Sequence, residues 1–155
     1  MKEILQDLEG AFGDRVTVSE SLGQTVVGLP AGEIVSVVTF LKSRGFSMLI
    51  DISAVDYLGR DPRFDVVYHL YHLEEKDWLR LKVQVGGDAP SVPSIAHVYL
   101  SANWAERECY DMFGIRFRGH PGLKRILMPD DWEGHPLRKD YPLTGTRPLP
   151  PLVHE

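Results

Sequence analysis

Between Glu106 and Leu143 the chain reads ERECYDMFGIRFRGHPGLKRILMPDDWEGHPLRKDYPL, a run of acids, bases and two histidines. On a helix Glu106 and Glu108 point to different faces and cannot converge as an acid/base pair. Glu108 and Asp111, three apart, can converge, but a general acid there needs burial to raise its pKa. Ion pairing is the commoner use: Arg107 and Asp111 stand four apart and can pair. Cys109 is the sole cysteine. One thiol makes no intrachain disulfide and holds no iron–sulfur cluster, and a nucleophilic role needs a base and an electropositive setting. It reads as a small apolar residue of the helix.

Histidines are the next candidates. His69 and His72 are three apart on a strand and so face opposite ways. His120 and His135 each sit in a Gly-His-Pro turn, where Asp130, Asp131 or Glu133 could complete a metal site. Neither an i, i+4 histidine pair nor a CxxC supports zinc, and turn histidines bonded to nearby carbonyls fit better. No GxGxxG, GxxxxGK[ST] or GxSxG offers a phosphate cradle or a nucleophile elbow. Lys124-Arg125 and Arg138-Lys139, flanked by Asp130, Asp131, Glu133 and Asp140, read as charge partners in an interface or on a solvated surface. Residue chemistry thus favours a binding or scaffold protein without its own cofactor. A metal-dependent hydrolase built on His120, His135 and a carboxylate is the competing reading.

The elements that must position these groups are legible upstream. MKEILQDLEGAFG is amphipathic, with Ile4, Leu5, Leu8 and Phe12 at helical spacing. RVTVSE and QTVVGL are strands of a hairpin turning at Ser21, Leu22 and Gly23. Residues 30–45 form a helix, with Ile34, Val37, Val38 and Leu41 on one face and Gly45 at its end. Phe46, Met48, Ile50 and Ile52 alternate as one face of a strand, as do Phe64, Val66, Tyr68 and Leu70. Leu79, Leu81, Val83 and Val85 face inward against wet Arg80, Lys82 and Gln84. GGDAPSVPSIAHVYLSAN is a loop with a short turn near Ile95 to Tyr99. Asn103 and Glu106 form a capping-box pair for a helix running to about Phe113. The expected fold is α+β, with helices packed on a mainly antiparallel sheet over residues 1–113. An extended, proline-rich C-terminal arm, 114–155, carries seven of the eleven prolines. Within it only LKRILMP shows an apolar run. Lacking periodicity, the arm is expected to be ordered by a neighbour's surface, so that removing 119–155 leaves a folded core.

A 155-residue chain with 43% hydrophobic and 25% charged residues is ordinary for one soluble domain. Its net charge of -5 argues against nucleic acid. The start lacks the basic and apolar regions of a signal peptide, and no stretch approaches a membrane span. A cytoplasmic chain, held at a membrane only by a partner, is the expectation.

Glu106, Arg107, Glu108, Asp111, Met112, Phe113, His120, Lys124, Ile126 and Leu127, followed by EGHPLRKDYPL over 133–143, carry a resemblance. The stretch is similar to the 30-kDa subunit family of proton-pumping NADH:quinone oxidoreductase, respiratory complex I. DISAVDYLGRDPRFDVVYHLYHL resembles the family more loosely. The resemblance implies a component of the peripheral arm, at the cytoplasmic face of a bacterial membrane, beside the hydrogenase-like 49-kDa subunit. It implies no flavin or iron–sulfur cluster in this chain, with FMN and clusters in partner subunits. Related subunits serve ferredoxin-, F420H2- and hydrogenase-linked complexes, the alternative assignment. On this reading Glu106, Arg107, Glu108 and Asp111 serve structural pairing and partner contact. Arg116, Arg118, His120, Lys124, Arg125, His135, Arg138, Lys139, Asp140 and Tyr141 form the docking arm.

Overall fold

Leu22 and Gly23 both take positive φ, 54° and 72°. Two such residues make a hairpin turn whose twist matches its strands. They join β1 (Thr17–Ser21) to β2 (Gln24–Leu29) in antiparallel register. The computed structural model describes residues 1–146. The arm's Pro148, Pro150 and Pro151, and His154, lie outside them. Helix α1 (Lys2–Phe12) precedes the hairpin and α2 (Ile34–Ser43) follows it. Phe12 meets Phe40 edge-on at 5.8 Å, joining the two helices.

Strands β3 (Met48–Asp56), β4 (Phe64–His72) and β5 (Asp77–Val85) complete a five-stranded sheet ordered β1-β2-β5-β4-β3. Only the β2–β5 pairing is parallel. The fold is therefore α+β with a mainly antiparallel sheet. One face buries Leu79, Leu81, Val83, Phe64, Val66 and Tyr68 with Leu8 of α1 and Ile34, Val37, Val38 and Leu41 of α2. Rows such as Ser53, Val67, Lys82, Gly28 and Thr17, aligned across the strands, make up the opposite face.

The structure changes three local expectations. A bulge between Leu49 and Asp51 breaks the alternation of β3, so Leu49, Ile52 and Ala54 face the core. Met48 and Ile50 are exposed instead. One extra residue in a strand reverses the side-chain phase beyond it. Next, β6 (Ser91–Pro93) and β7 (Arg116–Arg118) form a two-stranded parallel sheet on either side of α3 (Ala102–Phe113). At three residues each they are too short to show periodicity. Val92 and Phe117 are buried, and so is Ile115, which therefore belongs to the core and not to the arm. Finally, LKRILMP forms neither helix nor strand, because its N–H groups serve a side chain of α3.

Candidate functional site

Helix α3 begins after Ser101, whose hydroxyl donates to Leu49 O, 3.2 Å away, and makes no cap. The capping box is not formed either, since Asn103 lies inside the helix. Glu106 turns instead into the core, where it has no exposed surface. Its Oε1 accepts the Ile95 N–H at 2.7 Å and its Oε2 the Ser94 hydroxyl at 2.6 Å. Glu106 thereby fastens the 94–99 turn to α3. Burial outweighs these two bonds and pushes its pKa to about 7. The Tyr68 hydroxyl is also buried, with no hydrogen-bond partner among the described residues, and burial raises its pKa well above 10. Burial likewise holds the Cys109 thiol well above its usual range, as suits an inert structural cysteine.

Asp111 is equally buried but differently served. It does not pair with Arg107. Arg125 Nη1 reaches its Oδ1 at 2.6 Å, and the N–H groups of Ile126, Leu127 and Met128 converge on Oδ2 at 3.0, 2.8 and 2.9 Å. Burial favours the neutral acid, yet these donors outweigh it and hold the carboxyl below its usual value. Arg125 continues to Trp132 O and Gly134 O, at 2.8 and 3.0 Å. Arg107 donates to Lys124 O and Arg125 O, at 3.1 and 2.9 Å. The arm is therefore a strap wound on its own helix.

The last carbonyls of α3 have no partner within the helix, and the strap supplies one for each. His135 Nδ1 lies 2.9 Å from Asp111 O, Leu137 N–H 3.1 Å from Met112 O, and Arg138 Nε 2.6 Å from Phe113 O. Gly114 ends the helix with φ 73°, and a Cβ there would lie 2.5 Å from the His135 ring. Only glycine accommodates both the left-handed turn and the crossing strap. Beyond it, the Lys139 N–H bonds Asp56 at 2.8 Å. Arg63 joins Asp56 to Asp140, each at 2.7 Å. Arg63 first, then the Lys139 N–H, hold the Asp56 carboxyl below its usual value.

The residues read as an interface fall into two groups. Glu106 and Asp111 are corrected to internal anchors: a side chain with no exposed surface cannot touch a partner. His120, Arg125, His135, Arg138 and Asp140 are engaged within the chain, and the Lys139 backbone joins them. Tyr141 lies over Gly134, and its hydroxyl is 3.4 Å from Thr146 Oγ1. Glu108, Arg116, Lys124 and the Lys139 side chain remain exposed, as does Arg118, whose Nη1 donates to Ser91 Oγ at 2.6 Å, while Arg107 is half-buried against the strap. Asp56, Arg63 and Ser94, all part of this arrangement, are absent from the residues expected to act, because their partners at Lys139, Asp140 and Glu106 lie far along the chain. His120 and His135 bond the carbonyls of Asn103 and Asp111. Those carbonyls are eight residues, or about 12 Å, apart along a helix. Among the described residues no three metal-ligating side chains gather. The hydrolase reading loses its constellation.

The sequence profile "Respiratory-chain NADH dehydrogenase, 30 Kd subunit" matches residues 27–147, from the end of β2 through β3, β4, β5, α3 and the strap. The chain belongs to this 30-kDa subunit family. An NADH-quinone oxidoreductase subunit from Geotalea uraniireducens is 49% identical over 83% of this chain and 79% of its own length. Its counterpart from a Roseiflexus sp. is 49% identical over 90% of this chain and 83% of its own. A trypsin-resistant fragment (1–134) of Nqo5 superposes with a TM-score of 0.69 at 32% identity, covering 79% of this chain and 98% of that one. A chain of an archaeal membrane-bound sulfane sulfur reductase shares the fold, with a TM-score of 0.80 at 24% identity over 92% of this chain and 85% of that one. The α+β architecture is thus that of the 30-kDa subunit family.

Proposed function

We propose that the chain is a non-catalytic subunit in the peripheral arm of an NADH:quinone oxidoreductase, which couples electron transfer from NADH to quinone with proton translocation. It docks on the hydrogenase-like 49-kDa subunit and carries no redox centre, FMN and iron–sulfur clusters belonging to partner subunits. It reaches the cytoplasmic face of a bacterial membrane only through the complex. No helix among the described residues is long and apolar enough to cross a membrane. A single buried thiol also supplies no cluster ligand set. The roughly 49%-identical relatives are NADH-quinone oxidoreductase subunits, which favours NADH over ferredoxin, F420H2 or a hydrogenase as the source of electrons.

The observation that carries the docking role is the outer side of the strap. Leu127 and Leu137 are 60% and 54% exposed, although their own N–H groups are bonded to Asp111 and Met112 O. Apolar side chains held outward on a fixed backbone offer a partner anchors whose ordering is already complete, which reduces the entropic cost of binding. Introducing Leu127→Glu and Leu137→Glu together is expected to abolish co-purification of the 49-kDa subunit with the tagged full-length chain. Recovery of the 49-kDa subunit at the natural yield from the double variant would reject the reading.

A further inference from the structure

Four cations on α3, β7 and the strap have no acidic partner among the described residues. Arg107, Arg116, Arg118 and Lys124 take part in no ion pair there, nor do Arg80 and Arg138, which bond neutral groups, whereas Arg15, Arg44, Arg60, Arg63 and Arg125 each do. The four are neighbours. Arg116 and Arg118 are the two exposed positions of β7, so both side chains leave the same face. Two residues on, His120 bonds Asn103 O on α3, and one helical turn further Lys124 O accepts from Arg107. The guanidinium of Arg107 in turn covers the Trp104 ring, 5.0 Å from its centroid, and that tryptophan is 62% exposed. The result is a cationic strip ending on an aromatic ring.

The nearest internal carboxylates are withdrawn from it. Glu106 has no exposed surface, and Asp111 is spent on Arg125 and three backbone N–H groups. Glu108 stays exposed on α3 beside Arg107 and pairs with none of the four cations among the described residues, so a chain of net charge -5 presents a strip that is basic on balance. Adjacent like charges repel, and that cost is recovered when an opposite potential covers them. Arginine is the side chain that pairs carboxylates bidentately, and an arginine stacked on tryptophan favours a protein surface that excludes water.

We propose that the strip Arg116–Arg118–Lys124–Arg107, closed by Trp104, receives an acidic Asp/Glu-bearing segment of the neighbouring subunit. This rests on the docking function above and adds the chemistry of the partner's contact. The strip and the strap leucines then act separately, the first steering encounter and the second supplying apolar anchorage.

The test is reconstitution of membranes from cells lacking this subunit with the purified full-length chain, reading the concentration that restores half of the NADH:quinone activity. Arg116→Glu with Arg118→Glu is expected to raise that concentration by about 100-fold at low salt, with the gap shrinking toward about 0.5 M salt as the charges are screened. Arg116→Gln with Arg118→Gln is expected to fall between, with the melting temperature of the natural chain. An unchanged half-restoring concentration for both pairs overturns the inference. If Leu127→Glu/Leu137→Glu raises it in the same assay, the docking reading survives; if it does not, both fail. Phosphatidylglycerol vesicles separate the remaining source of negative charge. Charge-dependent binding to them, with reconstitution unaffected, assigns the strip to the membrane and overturns the acidic-segment inference.

Discussion

Glu106 and Asp111 are both fully buried acids on one helix, yet their pKa values move in opposite directions, and the donors around them explain why. Two neutral donors do not offset the loss of water at Glu106, so its folded pKa of about 7 exceeds the ordinary 4.5. The folded state therefore holds that proton more tightly than the unfolded chain. The stability this contributes is fully present below about pH 4.5 and is lost as pH rises toward 7, about 3 kcal/mol in all. Glu106→Gln is expected to remove most of that loss and to overtake the natural chain above pH 7. Urea midpoints between pH 4.5 and 8 check it, and parallel pH profiles for the two proteins would refute it. Asp111, with a guanidinium and three N–H groups, stays ionised. Asp111→Ala strands Arg125 and those donors, and is expected to lower stability by about 3–5 kcal/mol in the same urea measurement at neutral pH.

At the scale of the element, the strap is what completes α3. A segment without periodicity gains order by bonding groups that the helix leaves unpaired: the Asp111 side chain and the last three carbonyls. The core expected to remain folded without residues 119–155 is therefore expected to be less stable than the full chain. A chain ending at Gly119 loses Arg125 and the three N–H donors to Asp111 as well as the bonds to the last carbonyls of α3, and is expected to lose about 3–5 kcal/mol. A chain ending at Gly134 keeps Arg125 and the three N–H groups, and loses the bonds made by His135, Leu137 and Arg138, the Lys139 N–H bond to Asp56 and the Arg63–Asp140 pair. Its urea midpoint is expected to lie between those of the Gly119 chain and the full-length protein. Equal midpoints for the two truncations would show that Asp111 does not anchor the strap.

At the scale of the whole molecule, legibility followed distance along the chain. The hairpin at Leu22-Gly23, α2 with its face of Ile34, Val37, Val38 and Leu41, and the alternation of β5 depend on near neighbours and are legible in the sequence. The turn histidines are legible too, since their carbonyl partners on α3 match what a Gly-His-Pro turn favours. Arg107–Asp111 and Asn103–Glu106 do not form because each local pairing loses to a distant one. Asp111 is reached by Arg125 and Glu106 by Ser94. Arg63 and Asp140, 77 residues apart, give no sequence signal of their pairing.

The sequence by itself determined the α+β class, the helix faces, the turn positions and, through the residues from Glu106 to Leu143, the family. Those properties are fixed by local backbone preference and by side-chain period, both of which are written along the chain. Only the tertiary structure decided which charges are spent inside and which face outward. A carboxylate is an anchor or a contact according to whether donors from remote segments reach it before water does.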